Sequence, residues 1–157
     1  MPSYRPWSAE RTAQIIGEHQ GIEGPLLPIL HALQQEFGYI DQAAERVIAE
    51  ALNITRAEVH GVITFYHDFR REPAGRHVLK LCRAEACQAA GGDELAARAE
   101  TRLGVALGNT TADGRVTIEP VYCLGLCSVS PSAMIDGKVV ARLDSKKLDT
   151  LLAEVDR

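Results

Sequence analysis

The chain contains four cysteines, and their spacing indicates metal or redox chemistry. They form two short-spaced pairs, Cys82 with Cys87 and Cys123 with Cys127, in the pattern C-x4-C-x35-C-x3-C. Each pair lies at or near the end of a predicted strand, so two loops can bring four sulfurs to one centre. Four thiolates without a required histidine suit either a tetrahedral zinc ion or an iron–sulfur cluster.

The spacing within each pair bears on which of these centres is present. Structural zinc sites favour the C-x2-C knuckle, and both spacings here are wider, which suits the larger two-iron 2Fe-2S cluster. The plant-type ferredoxin spacing is not met, and neither pair is the C-x-x-C of thioredoxin-like redox chemistry. The residues alone therefore favour a cluster, with a zinc-stabilised interaction module and a dithiol reductase as alternatives.

Other features of the sequence exclude several functional classes. The chain has 157 residues, 17 Lys and Arg against 21 Asp and Glu, and a net charge of −4, which is the wrong sign for binding nucleic acid through its phosphates. It lacks a Walker loop, a G-x-G-x-x-G turn and a Ser/His/Asp or Cys/His set, so we expect no catalytic residues and no substrate site of its own. With no apolar signal segment and no membrane-length apolar run, we expect a cytoplasmic protein without direct membrane insertion.

Residues 1–72 have the periodicity and the capping signals of four short helices. The caps and breaks are, in chain order, Ser8, Pro25 with Pro28, Gly38, Asp41, and the capping box of Thr55 with Glu58. The fourth helix is predicted to carry an apolar stripe of Val59, Val62, Tyr66 and Phe69. One apolar face on each helix predicts an N-terminal bundle, in which Gly61 is a packing position.

Residues 73–157 have a different pattern, which begins after a turn-rich break. Strands are predicted at 77–82, 115–119, 133–135 and 138–142, with Asp136-Gly137 as a hairpin turn, and helices at 92–103 and 145–155. The segment from Gly104 to Gly114 is predicted to be a loop. This order predicts an α+β domain, an α/β sandwich in which helices cover both faces of a four-stranded sheet.

The chain resembles a known family in the residues around its cysteines. The segments that carry the resemblance are Cys82 to Cys87 (CRAEAC), Cys123 to Cys127 (CLGLC), Gly61 to Tyr66 (GVITFY) and Leu27 to Gln34 (LPILHALQ). They are similar to the small 2Fe-2S subunit of respiratory complex I (the E type) and to equivalent subunits of NAD-linked hydrogenases and of molybdenum-containing, NAD-dependent formate dehydrogenase. Within this family, the run CRAEACQAAGG from Cys82 to Gly92 is most similar to the formate dehydrogenase gamma subunit.

The resemblance implies a thioredoxin-like ferredoxin domain at 73–157 that holds one 2Fe-2S cluster. Its ligands would be Cys82, Cys87, Cys123 and Cys127; our own expectation, which the resemblance does not determine, is one iron on each pair. The chain would then be an electron-transfer subunit of a hetero-oligomeric oxidoreductase. Its partners would be an FMN- and NAD-binding subunit and, in the formate dehydrogenase version, a catalytic subunit containing molybdenum and iron–sulfur clusters.

Several residues near the ligands invite narrower expectations. Gly125 is expected to adopt a positive φ that turns backbone N–H groups toward sulfur, or to be an ordinary turn glycine. Other candidates are sulfur hydrogen bonds from Ser128 and Ser130, and a basic band of Arg76, Lys80 and Arg83 that either raises the cluster potential or solvates the surface. The aromatic run from Phe65 to Phe69 is expected to be core packing, with contact to a flavin-bearing partner as the alternative.

Overall fold

The computed structural model describes residues 4–155 and divides into two compact units, Met1–Pro73 and Ala74–Arg157. The boundary inferred from the sequence, between residues 72 and 73, lies one residue earlier. Among the described residues, no helix is long and apolar enough to cross a membrane.

The first unit contains four helices: α1 (Ala9–His19), α2 (Leu26–Phe37), α3 (Gln42–Leu52) and α4 (Arg56–Phe65). Their predicted caps are present. Ser8 and Asp41 accept from backbone N–H groups of the first turns of α1 and α3, and Thr55 forms a complete capping box with Glu58. Helix α2 ends at Gly38, where φ is +80°, a conformation that favours glycine. The helices bury one shared core, which includes Ile29, Leu30, Leu33, Phe37, Ile48, Val59 and Ile63.

Two details of the predicted fourth helix are wrong. Helix α4 ends at Phe65, so Tyr66 caps it with extended backbone and is 44% exposed, while Phe69 is buried but lies beyond the helix. An ideal Cβ at Gly61 meets no atom within 4 Å, so this glycine is not a packing contact.

A buried carboxylate also joins elements within this unit. Glu45 of α3 has a side chain only 1% exposed, with ion-pair distances of 3.2 Å to Arg56, 3.1 Å to His60 and 2.7 Å to Arg71. Arg56 and His60 belong to α4, whereas Arg71 belongs to the segment that follows it. Three partners offset the cost of removing this charge from water. His60 therefore has a structural role in this unit.

The second unit contains a five-stranded sheet with the order β2-β3-β1-β4-β5. Its elements are β1 (His77–Cys82), α5 (Glu85–Ala89), α6 (Gly92–Leu103), β2 (Asn109–Thr110), β3 (Val116–Val121), a 3-10 turn (Cys127–Val129), β4 (Ala133–Ile135), β5 (Lys138–Val140) and α7 (Ser145–Val155). Strands β1 and β3 are parallel, and the other neighbours are antiparallel. The buried core combines strand residues with Ala96 and Ala99 of α6 and Leu148 and Leu152 of α7.

The predicted mixed α and β fold is confirmed, with two local corrections. The segment Gly104–Gly114 is not only a loop, because it contains the two-residue edge strand β2, so the sheet has five strands instead of four. Helix α5 lies between the first two cysteines, and a 3-10 turn begins at Cys127. The Ser130-Pro131 peptide bond, whose isomer the sequence leaves open, is cis.

Candidate metal centre

The four cysteines lie at one edge of the second unit's sheet. Cys82 is the last residue of β1 and is paired in register with Val121, the last residue of the parallel strand β3. Cys123 follows β3 by two residues, Cys127 begins the 3-10 turn, and Cys87 lies on α5. Because the carboxyl ends of parallel strands meet at the same edge of a sheet, the two loops that carry the cysteines converge there.

The two cysteine pairs differ in their exposure to water. Cys82 and Cys87 are buried, with 4% and 1% of their surfaces exposed, whereas Cys123 and Cys127 are exposed. The Sγ atoms of Cys123 and Cys127 are 3.5 Å apart. The thiol of Cys87 is a hydrogen-bond partner of Cys82, and Cys127 is within electrostatic range of both buried thiols. The four sulfurs thus form two pairs in a single site.

The sulfur of Cys82 receives several hydrogen bonds that stabilise a thiolate. Burial raises the pKa of the Cys82 thiol, but these hydrogen bonds outweigh burial and hold the pKa below its ordinary value. The donors are the backbone N–H of Ala84, the thiol of Cys87, and the backbone N–H groups of Cys123 and Leu124. Two of these donors belong to the other ligand loop, so the second loop directly supports a sulfur of the first.

In the exposed pair, the pKa of the Cys127 thiol is raised instead of lowered. The hydrogen bond to Cys123 and the charge repulsion from it raise the pKa of the Cys127 thiol, with a smaller contribution from Cys87 and Cys82. A cation beside the Cys127 sulfur would favour its thiolate form, so these two sulfurs can serve as metal ligands.

Gly125 takes the conformation expected from the sequence. Its φ is +76°, and its backbone N–H donates to the Sγ of Cys123 at 3.3 Å. A side chain at this position would be strained, because the left-handed region suits glycine best. The prediction that Gly125 has a positive φ and turns an N–H toward sulfur is confirmed.

Ser132, which the sequence did not single out, contacts one of the four cysteines. It is 2% exposed, and its Oγ lies 3.5 Å from the Sγ of Cys87, while its carbonyl accepts from the backbone N–H of Cys82 at 3.1 Å. The two serines that the sequence suggested as donors to sulfur differ in burial, since Ser128 is exposed and Ser130 is half-buried. The contact between Ser132 and Cys87 spans 45 residues, so no local sequence pattern could indicate it.

Helix α6 packs closely, through Gly92, against the loop that carries Cys82 and Cys87, called here the first cysteine loop. An ideal Cβ on this residue would lie 2.6 Å from the carbonyl oxygen of Cys87 and 3.5 Å from that of Cys82. Only a residue without a side chain permits this approach of the helix start to the loop. The sequence marked Gly92 as the start of a helix but did not indicate this contact.

Two cationic residues near Cys82 are paired with acidic side chains of the same unit. Lys80 lies 3.7 Å from Glu119, and Arg83 lies 3.0 Å from Asp93. The Arg83 side chain is 27% exposed, and its Nε is buried without a hydrogen-bond partner among residues 4–155. The basic band therefore includes a cation that is partly withdrawn from water.

The aromatic run in the first unit has two environments. Phe69 is 6% exposed and belongs to the helical core, so packing is confirmed for this residue. Phe65 is 73% exposed, and with Tyr66 it borders a largely apolar groove of about 740 Å³. Core packing is therefore wrong for Phe65.

The arrangement of the sulfurs is compatible with either kind of metal centre. A tetrahedral metal with bonds of about 2.3 Å to sulfur separates two of its ligands by about 3.8 Å, close to the spacing of Cys123 and Cys127. Two sulfur pairs with N–H donors would also suit a two-iron cluster, in which each pair would bind one iron.

A family model and several known proteins are similar in sequence to this chain. A family model described as thioredoxin-like [2Fe-2S] ferredoxin matches residues 12–156. The E-type subunit of the NADH-quinone oxidoreductase of Pseudomonas aeruginosa is 40% identical over 107 residues, which cover 68% of this chain and 64% of that protein. Its counterpart of the same name from Escherichia coli K12 is 37% identical over 148 residues, which cover 92% and 89%.

Two hydrogenase proteins are also similar. The NADP-reducing hydrogenase subunit HndA of Solidesulfovibrio fructosivorans is 31% identical over 132 residues, which cover 84% of this chain and 77% of that subunit. The crystal structure of an air-oxidized NAD+-reducing [NiFe]-hydrogenase superposes with a TM-score of 0.70 at 26% identity, over 83% of this chain and 22% of that chain. The family match covers both cysteine pairs and nearly all of the sequence, so the chain belongs to the thioredoxin-like [2Fe-2S] ferredoxin family.

Proposed function

We propose that this chain holds one 2Fe-2S cluster and works as a one-electron relay within a larger oxidoreductase. Cys82 and Cys87 would bind one iron, and Cys123 and Cys127 the other. The observation that carries this proposal is the meeting of two sulfur pairs at one sheet edge, one pair buried and one exposed. Membership of the ferredoxin family supports the same cofactor.

The chain's own residues hold and tune the centre. When bound, such a cluster accepts and returns single electrons. Backbone N–H groups that donate to the sulfurs of Cys82 and Cys123 stabilise the thiolate charge, and burial of the first pair excludes water from that half of the site. The exposed second pair leaves the other half open to the approach of a redox partner.

The partner we propose is an FMN- and NAD-binding subunit of the same complex. A flavin converts two-electron hydride chemistry into single-electron steps, which makes it a suitable neighbour for a one-electron relay. The printed names of the relatives, NADH-quinone oxidoreductase and NADP-reducing hydrogenase, support a complex of this kind. The chain itself would contribute no catalytic residue.

For the parent complex we propose a cytoplasmic NAD-dependent formate dehydrogenase, in which this chain is the gamma subunit. The support is the loop sequence CRAEACQAAGG from Cys82 to Gly92. A further subunit with molybdenum and iron–sulfur clusters would then oxidise formate. The alternative is the equivalent subunit of complex I or of an NAD-linked hydrogenase. Proteins similar to this chain carry names of both kinds.

The cofactor is tested on protein prepared without oxygen. We expect about two irons and two acid-labile sulfides per chain, visible absorbance that bleaches with dithionite, and a paramagnetic signal after reduction. Cys123→Ala should remove that signal, whereas Ser128→Ala, an exposed change just beyond the ligand loop, should keep it. A colourless protein with one zinc and no sulfide would falsify the relay and support the zinc module.

The parent complex is tested by native co-purification followed by activity assays. The purified assembly is given either formate with NAD, NADH with quinone, or hydrogen with NAD. Formate-dependent NAD reduction together with a molybdenum content supports formate dehydrogenase. Activity only with NADH and quinone, or only with hydrogen, assigns the chain to one of the alternative complexes.

A further inference from the structure

Arg83 combines a position between two proposed ligands with a buried donor that has no partner. It directly follows Cys82, and its Nε–H is buried with no hydrogen-bond partner among residues 4–155. Buried polar groups almost always have a partner, so an unpaired donor beside a candidate cofactor site calls for one. A cluster sulfur is an acceptor of the required kind.

Backbone contacts and an ion pair hold the Arg83 side chain beside the ligand loop. Its backbone N–H donates to the carbonyl of Val121 at 2.8 Å, and its Nη2 lies 3.0 Å from Oδ1 of Asp93. Asp93 directly follows Gly92, which packs against the backbone of both Cys87 and Cys82. The guanidinium is therefore tied to the helix start that covers the ligand loop.

The charges of this ion pair are screened unequally. The Asp93 side chain is 54% exposed, so water weakens its field, whereas Arg83 is 27% exposed and its Nε is fully buried. The pair therefore acts on a neighbouring buried centre mainly as a cation. A 2Fe-2S cluster with four thiolates has a charge of −2 when oxidised and −3 after it accepts one electron, and a nearby cation stabilises the second state more.

We propose that Arg83 raises the reduction potential of the cluster through its charge and its buried Nε–H, and that Asp93 moderates this effect. This inference rests on the proposed function. The four ligands alone do not determine the reduction potential, and in this proposal the Arg83 side chain adjusts it. Arg83 binds no substrate and is not a ligand.

The test is a redox titration of the full chain, prepared without oxygen and followed by the paramagnetic signal of the reduced cluster. Arg83→Gln should make the equilibrium constant for reduction at least tenfold less favourable, because a hydrogen bond from a charged donor is lost, and tenfold corresponds to about 59 mV for one electron. Arg83→Lys keeps the charge without the guanidinium and should lie between Gln and the native protein. Asp93→Asn should raise the potential.

The matched control is Arg98→Gln. It breaks another Arg–Asp pair of the same unit, in which Arg98 Nη2 lies 2.6 Å from Asp149, and it should leave the potential unchanged. An Arg83→Gln protein with full cluster content and the native potential overturns the inference, as does an equal shift in Arg98→Gln. If Arg83→Gln does not retain the cluster, Asp93→Asn decides, and an unchanged or lowered potential refutes the inference. Native protein without any cluster refutes the proposed function itself.

Discussion

Replacing Gly92 with Ala tests whether the start of α6 holds the first cysteine loop in place. The added Cβ would lie 2.6 Å from the carbonyl oxygen of Cys87 and 2.9 Å from its carbonyl carbon. Both are backbone atoms, so no side chain can rotate away. Ordinary van der Waals contact begins at 3.4 Å, and helix and loop must therefore separate by about 0.8 Å.

The size of the effect follows from this overlap. Forcing an extra methyl group into a packed site typically costs about 1–3 kcal/mol. The greater helix propensity of alanine offsets up to about 1 kcal/mol of this cost, although less in the first turn of a helix. We expect a net loss of about 1–2 kcal/mol in the stability of the second unit, together with incomplete cluster uptake, because Cys87 moves relative to the other ligands.

Hydrogen exchange followed by mass spectrometry measures the loss where it occurs. Peptides from α6 should exchange faster in Gly92→Ala, and iron and sulfide per chain should fall. Gly17→Ala is the control, since a Cβ there meets nothing within 4 Å, and it should keep native cluster content. Native exchange and full cluster content in Gly92→Ala would show that the close approach is not required.

Two further predictions concern the helical unit. Trp7, the only tryptophan in the sequence, packs against the core of this unit and can report its unfolding. Glu45→Gln should lower the free energy of unfolding by about 2–3 kcal/mol in urea, whereas Glu50→Gln, whose partner Arg46 is 3.9 Å away and exposed, should cost less than about 1 kcal/mol. Burial raises the pKa of Glu45, but hydrogen bonds from His60, Arg71 and Arg56 outweigh burial and lower the pKa. The stabilisation by Glu45 is therefore present above pH 4.5 and is lost as the pH falls through the lowered pKa. The difference in unfolding free energy between the native protein and Glu45→Gln should become smaller at acidic pH. A difference that stays the same contradicts this account. Gly61→Leu should leave the stability unchanged or raise it by up to about 1 kcal/mol, since its Cβ meets no atom within 4 Å, and a loss above about 2 kcal/mol would contradict that geometry.

Elements with local signals could be predicted from the sequence, and elements that depend on distant partners could not. Helices α1 to α4 were predicted with their caps, because a cap and the helix it begins lie within four residues. Strand β2 was missed because its two residues are held by β3, which follows after a turn, and not by any alternation of their own. Helix α5 has five residues, too few for a helical period to be visible.

The same distinction applies to the candidate site. The cysteine pairs and the role of Gly125 could be predicted, since ligand spacing and a turn glycine are features of consecutive residues. Ser132 and Gly92 could not, because their contacts with the ligand loop depend on how β4 and α6 pack against it. Arg83 was noticed for its charge, but its ion pair with Asp93 and its buried Nε follow only from the three-dimensional packing.

The unequal burial of the two sulfur pairs links this packing to the proposed relay. Cys82 and Cys87 are fixed by a sheet strand, by Ser132 and by the close approach of Gly92, so that half of the site has little freedom to rearrange. A fixed environment favours electron transfer, because few dipoles need to reorient when the charge changes. Cys123 and Cys127 lie on an exposed loop, which lets another cofactor come near without the removal of a covering element. In the proposed relay, the buried pair Cys82 and Cys87 would hold the cluster rigidly, and the exposed pair Cys123 and Cys127 would face the redox partner. Rigid binding and electron exchange would therefore depend on different cysteines.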